Sequence, residues 1–297
     1  MGTRGSLIAG IELGGTKCIA LLGSGPEDVR AQQTVPTIDP DATLAAIEAT
    51  LDGWDFDAIG VASFGPLQLD AAAPDYGAIT ATTKPGWTGT DLVRRLARRY
   101  GKPIGFQTDV NGAALAEGRW GAARGLATHA YLTIGTGVGV GLVANGRPVQ
   151  GVAHGEAGHM RVPRAAGDTY PGWCRFHGDC VEGLISGPAL AERFGCPGKE
   201  LPQDGREWDL FVHDLCGLLH NLVVAAAPER IAIGGGVIAA RAHLFQKLRA
   251  RLAESLGGYG SLIGYAGELD DRLGPPGLGA MAGPLGALAV GLEAIDS

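Results

Sequence analysis

Apolar residues along this chain come in short runs, broken by glycine, proline and charge. "LIAGIEL" (7–13) is almost wholly apolar and reads as a strand buried on both faces. "GGTK" (14–17) reads as a tight turn and "CIALLG" (18–23) as a returning strand. "PDATLAAIEATLDGW" (40–54) has helical spacing, with Asp39 or Asp41 as candidate caps. A strand follows at 56–65, a helix stopped by Gly101 at 88–101, a strand at 103–109 and a helix at 111–121. A second round predicts strands at 129–135 and 138–146, a helix at 186–195, and a long apolar helix at 207–227. A strand at 230–235 and a helix at 239–258 complete it. Residues 147–183 carry no strong period and read as a long loop.

"IELGGTKCIALLG" and "LTIGTGVGVGLVANG" share one plan: apolar strand, Gly-Thr turn, apolar strand. Backbone N–H groups at such a tip can form an anion-binding nest, and glycine lets a phosphate approach the backbone. An ordinary hairpin turn is the competing reading of either tip alone. A third cluster, "IAIGGGVIA" (231–239), follows a predicted strand and is expected to open a helix, where a nucleotide phosphate would sit. The G-x-G-x-x-G spacing and the G-x-x-x-x-G-K-[ST] pattern are both absent, so neither dinucleotide nor P-loop binding follows.

Composition narrows the class. With 297 residues, 45% of them hydrophobic, the chain has material for two cored domains. The net charge of −7 and the lack of a basic patch argue against a nucleic-acid partner. Leu273 to Leu292 carries no charge, but three prolines and many glycines break it. A buried loop followed by a short core helix is expected there, not a membrane span. With no secretory signal, the expected location is the cytoplasm, where disulfides are uncommon and clustered Cys and His point to metal.

Such a cluster is "WCRFHGDCVEG" (173–183). Cys174, His177 and Cys180, with His159 upstream, form an N₂S₂ set of the kind that closes a structural Zn²⁺ site. His154 competes with His159 for the fourth position. Free buried thiols are the bland alternative, and Cys18, Cys196 and Cys216, each isolated, are read as core.

"GIELGGTK", "TDVNGAALAEG", "TIGTGVGVGLV", "HGEAGHM", "CRFHGDCVEGLISG" and "IAIGGGV" together resemble the ROK family of sugar kinases, from about residue 8 to the C-terminus. "KPGW" (84–87), Glu12, Thr108 and His177 look most like its fructokinase branch, since many glucokinase-like members carry Asp, Asn and Cys at the last three positions. The resemblance implies an α/β fold of the actin-like ATPase (ribonuclease H-like) type, with two domains around a cleft and a zinc-binding loop in the larger. The expected boundaries are 1–112, completed by a C-terminal helix at about 284–297, and 113–283. The implied partners are a small-molecule sugar, no nucleic acid, no membrane, and a second copy of the chain in a homodimer.

The implied reaction moves the γ-phosphoryl group of ATP to a sugar, with fructose expected and mannose, glucose or an amino sugar as alternatives. Asp109, at a strand end, matches the family's general base; capping the next helix is its other reading. Glu12 is expected near Mg²⁺, or else satisfied by Lys17 or the backbone. Gly14, Gly15, Thr16, Lys17, Gly135, Thr136, Gly137, Gly234, Gly235 and Gly236 are expected around the nucleotide, with Lys17 alternatively a solvated charge. Glu156 and Glu182 match the sugar-contacting glutamates, and Asn111, Gly65, Pro66 and Trp87 are secondary candidates. His159 occupies the family's Gly-His position. The ROK family also contains repressors with an N-terminal helix-turn-helix, for which a first strand near residue 7 leaves no room. A non-catalytic zinc protein would leave the glycine turns and Asp109 unexplained.

Overall fold

The computed structural model describes residues 5–296. Its strands are β1 (Ile8–Leu13), β2 (Lys17–Gly25), β3 (Asp28–Pro36), β4 (Ala58–Ser63), β5 (Ile104–Thr108), β6 (His129–Ile134), β7 (Val138–Ala144), β8 (Arg147–Pro148), β9 (Arg230–Gly234) and β10 (Leu273–Gly274). Its helices are α1 (Pro40–Leu51), α2 (Val93–Tyr100), α3 (Asp109–Trp120), α4 (Val181–Ile185), α5 (Gly187–Phe194), α6 (Arg206–Ala226), α7 (Leu244–Leu256), α8 (Leu262–Gly267), α9 (Leu269–Arg272) and α10 (Ala282–Asp296).

The chain forms two compact units. The first holds the chain up to Gly125, Pro148–Gly155 and the chain from Ala280 onward. Its sheet runs β3-β2-β1-β4-β5, with β1 antiparallel to β2 and parallel to β4. β3 is a polar edge strand, largely exposed and held by backbone pairing to β2; its lack of an apolar run hid it from sequence reading. Three glycines lie in register across the sheet, Gly10 beside Gly60 and Gly60 beside Gly105. Together they make a track against which α10 packs. A methyl group on Gly60 would lie 1.9 Å from the Ala287 carbonyl oxygen, and one on Gly105 would lie 2.0 Å from that of Val290. The uncharged C-terminal stretch thus ends in a core helix, as expected. Gly286 of α10 also meets Gly112 of α3 closely, at 2.5 Å for an added methyl. This contact keeps α3 whole within the first unit, which runs on to Gly125.

The second unit, Leu126–Arg147 with Glu156–Gly279, repeats the plan. Its sheet runs β10-β9-β6-β7-β8, with β6 antiparallel to β7 and parallel to β9. The sequence echo is therefore a structural one, since each unit contains a hairpin joined to a parallel neighbour. α6 is the core helix, burying Trp208, Phe211, Leu215, Leu219 and Leu222, each worth roughly 1.5–3 kcal/mol when fully buried. Two predicted starts move. α2 begins at Val93, not 88, because Ala78 and Asp91 pair as a β-bridge. α7 begins at Leu244, not 239, because 235–243 form successive turns around a buried Arg241, stacked 4.2 Å from the Trp208 ring.

Candidate active site

In the first unit, β1 ends at the Gly14–Lys17 turn and β5 ends at Asp109. N-capping of α3 falls to Thr108, whose Oγ1 accepts from the Asn111 N–H at 3.2 Å. Asp109 is the first helical residue, its Oδ1 accepting from the Val110 N–H at 2.9 Å. The parallel register of β1, β4 and β5 brings their C-terminal ends to the same end of the sheet. Glu12 and Asp109 feel each other's charge there. Burial first, then Asp109, pushes the Glu12 carboxyl up to about 7, and Lys17 only partly offsets the rise. Two carboxylates so placed suit a hard divalent cation.

The Gly14–Lys17 turn closes tightly, for a methyl on Gly14 would lie 2.6 Å from the Lys17 carbonyl oxygen, while Gly15 faces open space. Thr16 and Lys17 are exposed. Three secondary sugar candidates have other duties. Trp87 is fully buried, packs edge-on against Phe64 at 5.2 Å, and donates its indole N–H to the Ile38 carbonyl at 3.1 Å. It therefore belongs to the core. The Asn111 amide donates to Gln107 Oε1 at 2.9 Å. Gly65, in the Gly65–Pro66 segment, lies against the His154 ring, whose Nε2 accepts from the Leu67 N–H at 3.0 Å.

In the second unit, the Gly135–Gly137 turn meets the third glycine cluster. The Gly135 carbonyl accepts from the Gly187 N–H at 2.7 Å, and Val237 donates to the Ile134 carbonyl at 3.0 Å. Gly235 has φ +90, and a methyl there would lie 2.4 Å from the Ile134 backbone. The helix expected directly after Gly236 is absent; turns replace it, so backbone amides of turns, and not a helix end, line this cluster.

One segment gathers the four proposed metal ligands. His159, Cys174, His177 and Cys180 place their ligand atoms within 4.8 Å of one another. Cys180 Sγ is 3.5 Å from His159 Nδ1, and Cys174 Sγ is 3.7 Å from His159 Nδ1 and 3.8 Å from His177 Nδ1. Tetrahedral Zn²⁺ with its usual bond lengths separates S and N ligands by roughly 3.5 Å, so the donor set fits. A small hairpin presents Cys174 and His177, closed by the Gly178 N–H to Cys174 carbonyl bond at 2.8 Å. Burial, with the Cys174 sulfur beside it, pushes the Cys180 thiol up to about 12, an environment that a cation would relieve. His154 is committed to Leu67, which leaves the four-residue cluster with His159. Cys18 and Cys216 are buried and Cys196 half-buried, all three free thiols.

Glu182 follows Cys180 on α4. Its Oε2 accepts from the Val138 N–H at 3.1 Å, just beyond the glycine turn, and its Oε1 lies 4.0 Å from His159 Nε2. Glu156 is exposed and begins the short 3₁₀ turn that carries His159. An ion-pair network holds the same loop to the unit's core. Arg193 of α5, 3% exposed, donates to Asp214 of α6 at 2.9 Å and to Asp168 of the loop at 2.6 Å. Arg164 adds bonds to Asp168 and, at 3.2 Å, to Asp179. Sequence reading missed this network because its members lie far apart along the chain and each looks like a surface charge.

The two-unit α/β architecture has known relatives. The ROK family pattern matches residues 8–291, and the chain belongs to that family. A fructokinase from Pediococcus pentosaceus is 37% identical over 98% of this chain and 99% of its own length. One from Zymomonas mobilis is 38% identical over 96% of each. Among solved structures, a ROK hexokinase from Thermus thermophilus superposes with a TM-score of 0.78 at 29% identity, covering 98% of this chain and all of the other.

Proposed function

We propose that this chain is an ATP-dependent fructokinase, with Asp109 as general base for transfer to the 6-hydroxyl. The observation that carries the reading is the Glu12–Asp109 carboxylate pair beside the first glycine turn. The fructokinase relatives, near 37% identity over almost their whole length, support fructose as the sugar. In the transfer, Asp109 takes the proton of the sugar hydroxyl as its oxygen bonds to the γ-phosphorus. The bond from that phosphorus to the β–γ bridging oxygen breaks, and ADP leaves. The glycine turns around Gly14, Gly15, Thr16 and Lys17, and around Gly135, Thr136, Gly137 and Gly234–Gly236, hold the phosphates. Glu12 would hold Mg²⁺, which when bound neutralises charge on the phosphate oxygens.

Glu156 and Glu182 contact the sugar in this reading, and Zn²⁺ on His159, Cys174, His177 and Cys180 orders the loop that carries them. Ordering so long a segment costs about 1–2 kcal/mol per residue in backbone entropy, which ligation offsets. The active form is a homodimer. The test is ATP-to-ADP turnover against a panel of hexoses, with product position read by NMR and mass in solution by light scattering. Fructose is expected to give the highest kcat/KM. A tenfold preference for mannose, glucose or an amino sugar would overturn the substrate assignment, and absence of turnover would overturn the kinase reading.

A further inference from the structure

The structure assigns Lys84 as a positioning residue that fixes the phosphate-binding face of the Gly14–Lys17 turn by pinning a backbone carbonyl. The assignment rests on the proposed reading that this turn meets the nucleotide.

Across a trans peptide, the carbonyl of one residue and the N–H of the next point in opposite directions. A partner that holds the Gly14 carbonyl therefore also aims the Gly15 N–H, and a partner on the Gly15 carbonyl aims the Thr16 N–H. Both carbonyls are held. Thr37 Oγ1 donates to the Gly14 carbonyl at 2.8 Å, and the Lys84 ammonium donates to the Gly15 carbonyl. The Thr37 N–H also holds the Thr16 carbonyl at 3.0 Å, and Gly14 donates to the Lys17 carbonyl at 3.1 Å. Every carbonyl of the turn thus has a donor. The N–H groups of Gly15 and Thr16 have no acceptor among the described residues. That asymmetry is what an anion nest requires: acceptors withdrawn, donors presented.

Lys84 is itself held in place. Its carbonyl accepts from the Trp87 N–H at 3.2 Å, and buried Trp87 anchors that segment. Its ammonium lies 5.7 Å from the centre of the Phe64 ring. The second turn makes the same pin without a side chain, since Gly187 donates its N–H to the Gly135 carbonyl. Only the first turn depends on a residue that can be exchanged.

Four variants test the assignment, each measured for ATP and sugar KM, kcat and thermal midpoint. Lys84→Met removes the donor and keeps the length, and ATP KM should rise about tenfold. Sugar KM should hold steady. Lys84→Gln, a neutral donor, should recover most of the loss, and Thr37→Val should weaken ATP in the same direction. Gly15→Ala separates the two readings, because the protein leaves open space there and a methyl would meet only the ligand. If Gly15→Ala leaves ATP KM unchanged, the turn does not meet the nucleotide and the underlying reading fails. If Gly15→Ala weakens ATP while Lys84→Met does not, the positioning role alone is overturned. If Gln behaves as Met, charge on the ligand, not carbonyl pinning, is the function of Lys84.

Discussion

His159 Nδ1 lies 3.5 Å from Cys180 Sγ, while the far nitrogen of the same ring, Nε2, lies 4.0 Å from Glu182 Oε1. One imidazole thus links the sulfur cluster to a carboxylate that also holds the Val138 N–H. A metal-bound histidine commonly turns its second nitrogen toward a carboxylate, and loss of either partner disturbs both. Purified protein should contain one zinc per chain by mass spectrometry. Cys180→Ser should lose it and raise sugar KM about tenfold or more, while His154→Ala keeps it. Metal-free protein with unchanged sugar KM would show that the cluster does not order the sugar side.

Asp109 is the first residue of α3 while Thr108 caps the helix, so its carboxylate can be removed without uncapping α3. Asp109→Asn should cut kcat by about 10²–10⁴-fold, the usual contribution of a general base, with ATP and sugar dissociation constants little changed. A variant that keeps a tenth of the turnover would refute the role.

Glu12 gives stability a pH dependence of unusual sign. The folded protein keeps its proton up to about 7 and the unfolded chain gives it up near 4.5, so the native state binds more protons in that window. Stability therefore falls as pH rises from about 4.5 to 7, by about 3 kcal/mol at roughly 1.4 kcal/mol per pH unit. Urea melts without divalent cation should show Glu12→Gln gaining on the wild type across this range. Mg²⁺ favours the ionised form, so its binding at pH 6.5 should release protons in calorimetry, and Glu12→Gln should not.

Arg193 and Asp214 are almost wholly buried, at 3% and 0% side-chain exposure. Removing one partner strands the other charge, which costs about 3–5 kcal/mol. Arg193→Met should lower unfolding free energy by that amount, and the double variant Arg193→Met with Asp214→Leu should recover part of it. A loss under 1 kcal/mol would mean that the network is solvated in solution.

Much of this protein was legible in its sequence. Apolar runs marked most strands, because strands covered on both faces need little polar alternation, and the Gly-Thr echo disclosed the repeat. The spacing of Cys174, His177 and Cys180 delivers three ligands from one short loop, so local chain geometry sufficed there. What stayed hidden depends on contacts across long stretches of chain. Only the packed fold spends His154 on Leu67 and leaves His159 beside the cysteines. It alone turns Trp87 into core, gives the α3 cap to Thr108, and brings Lys84 onto the Gly15 carbonyl from a segment far along the chain. Sequence fixes which groups are available and their local spacing. The partner each group keeps is settled by burial and by competition for hydrogen bonds, and those exist only once the chain has closed.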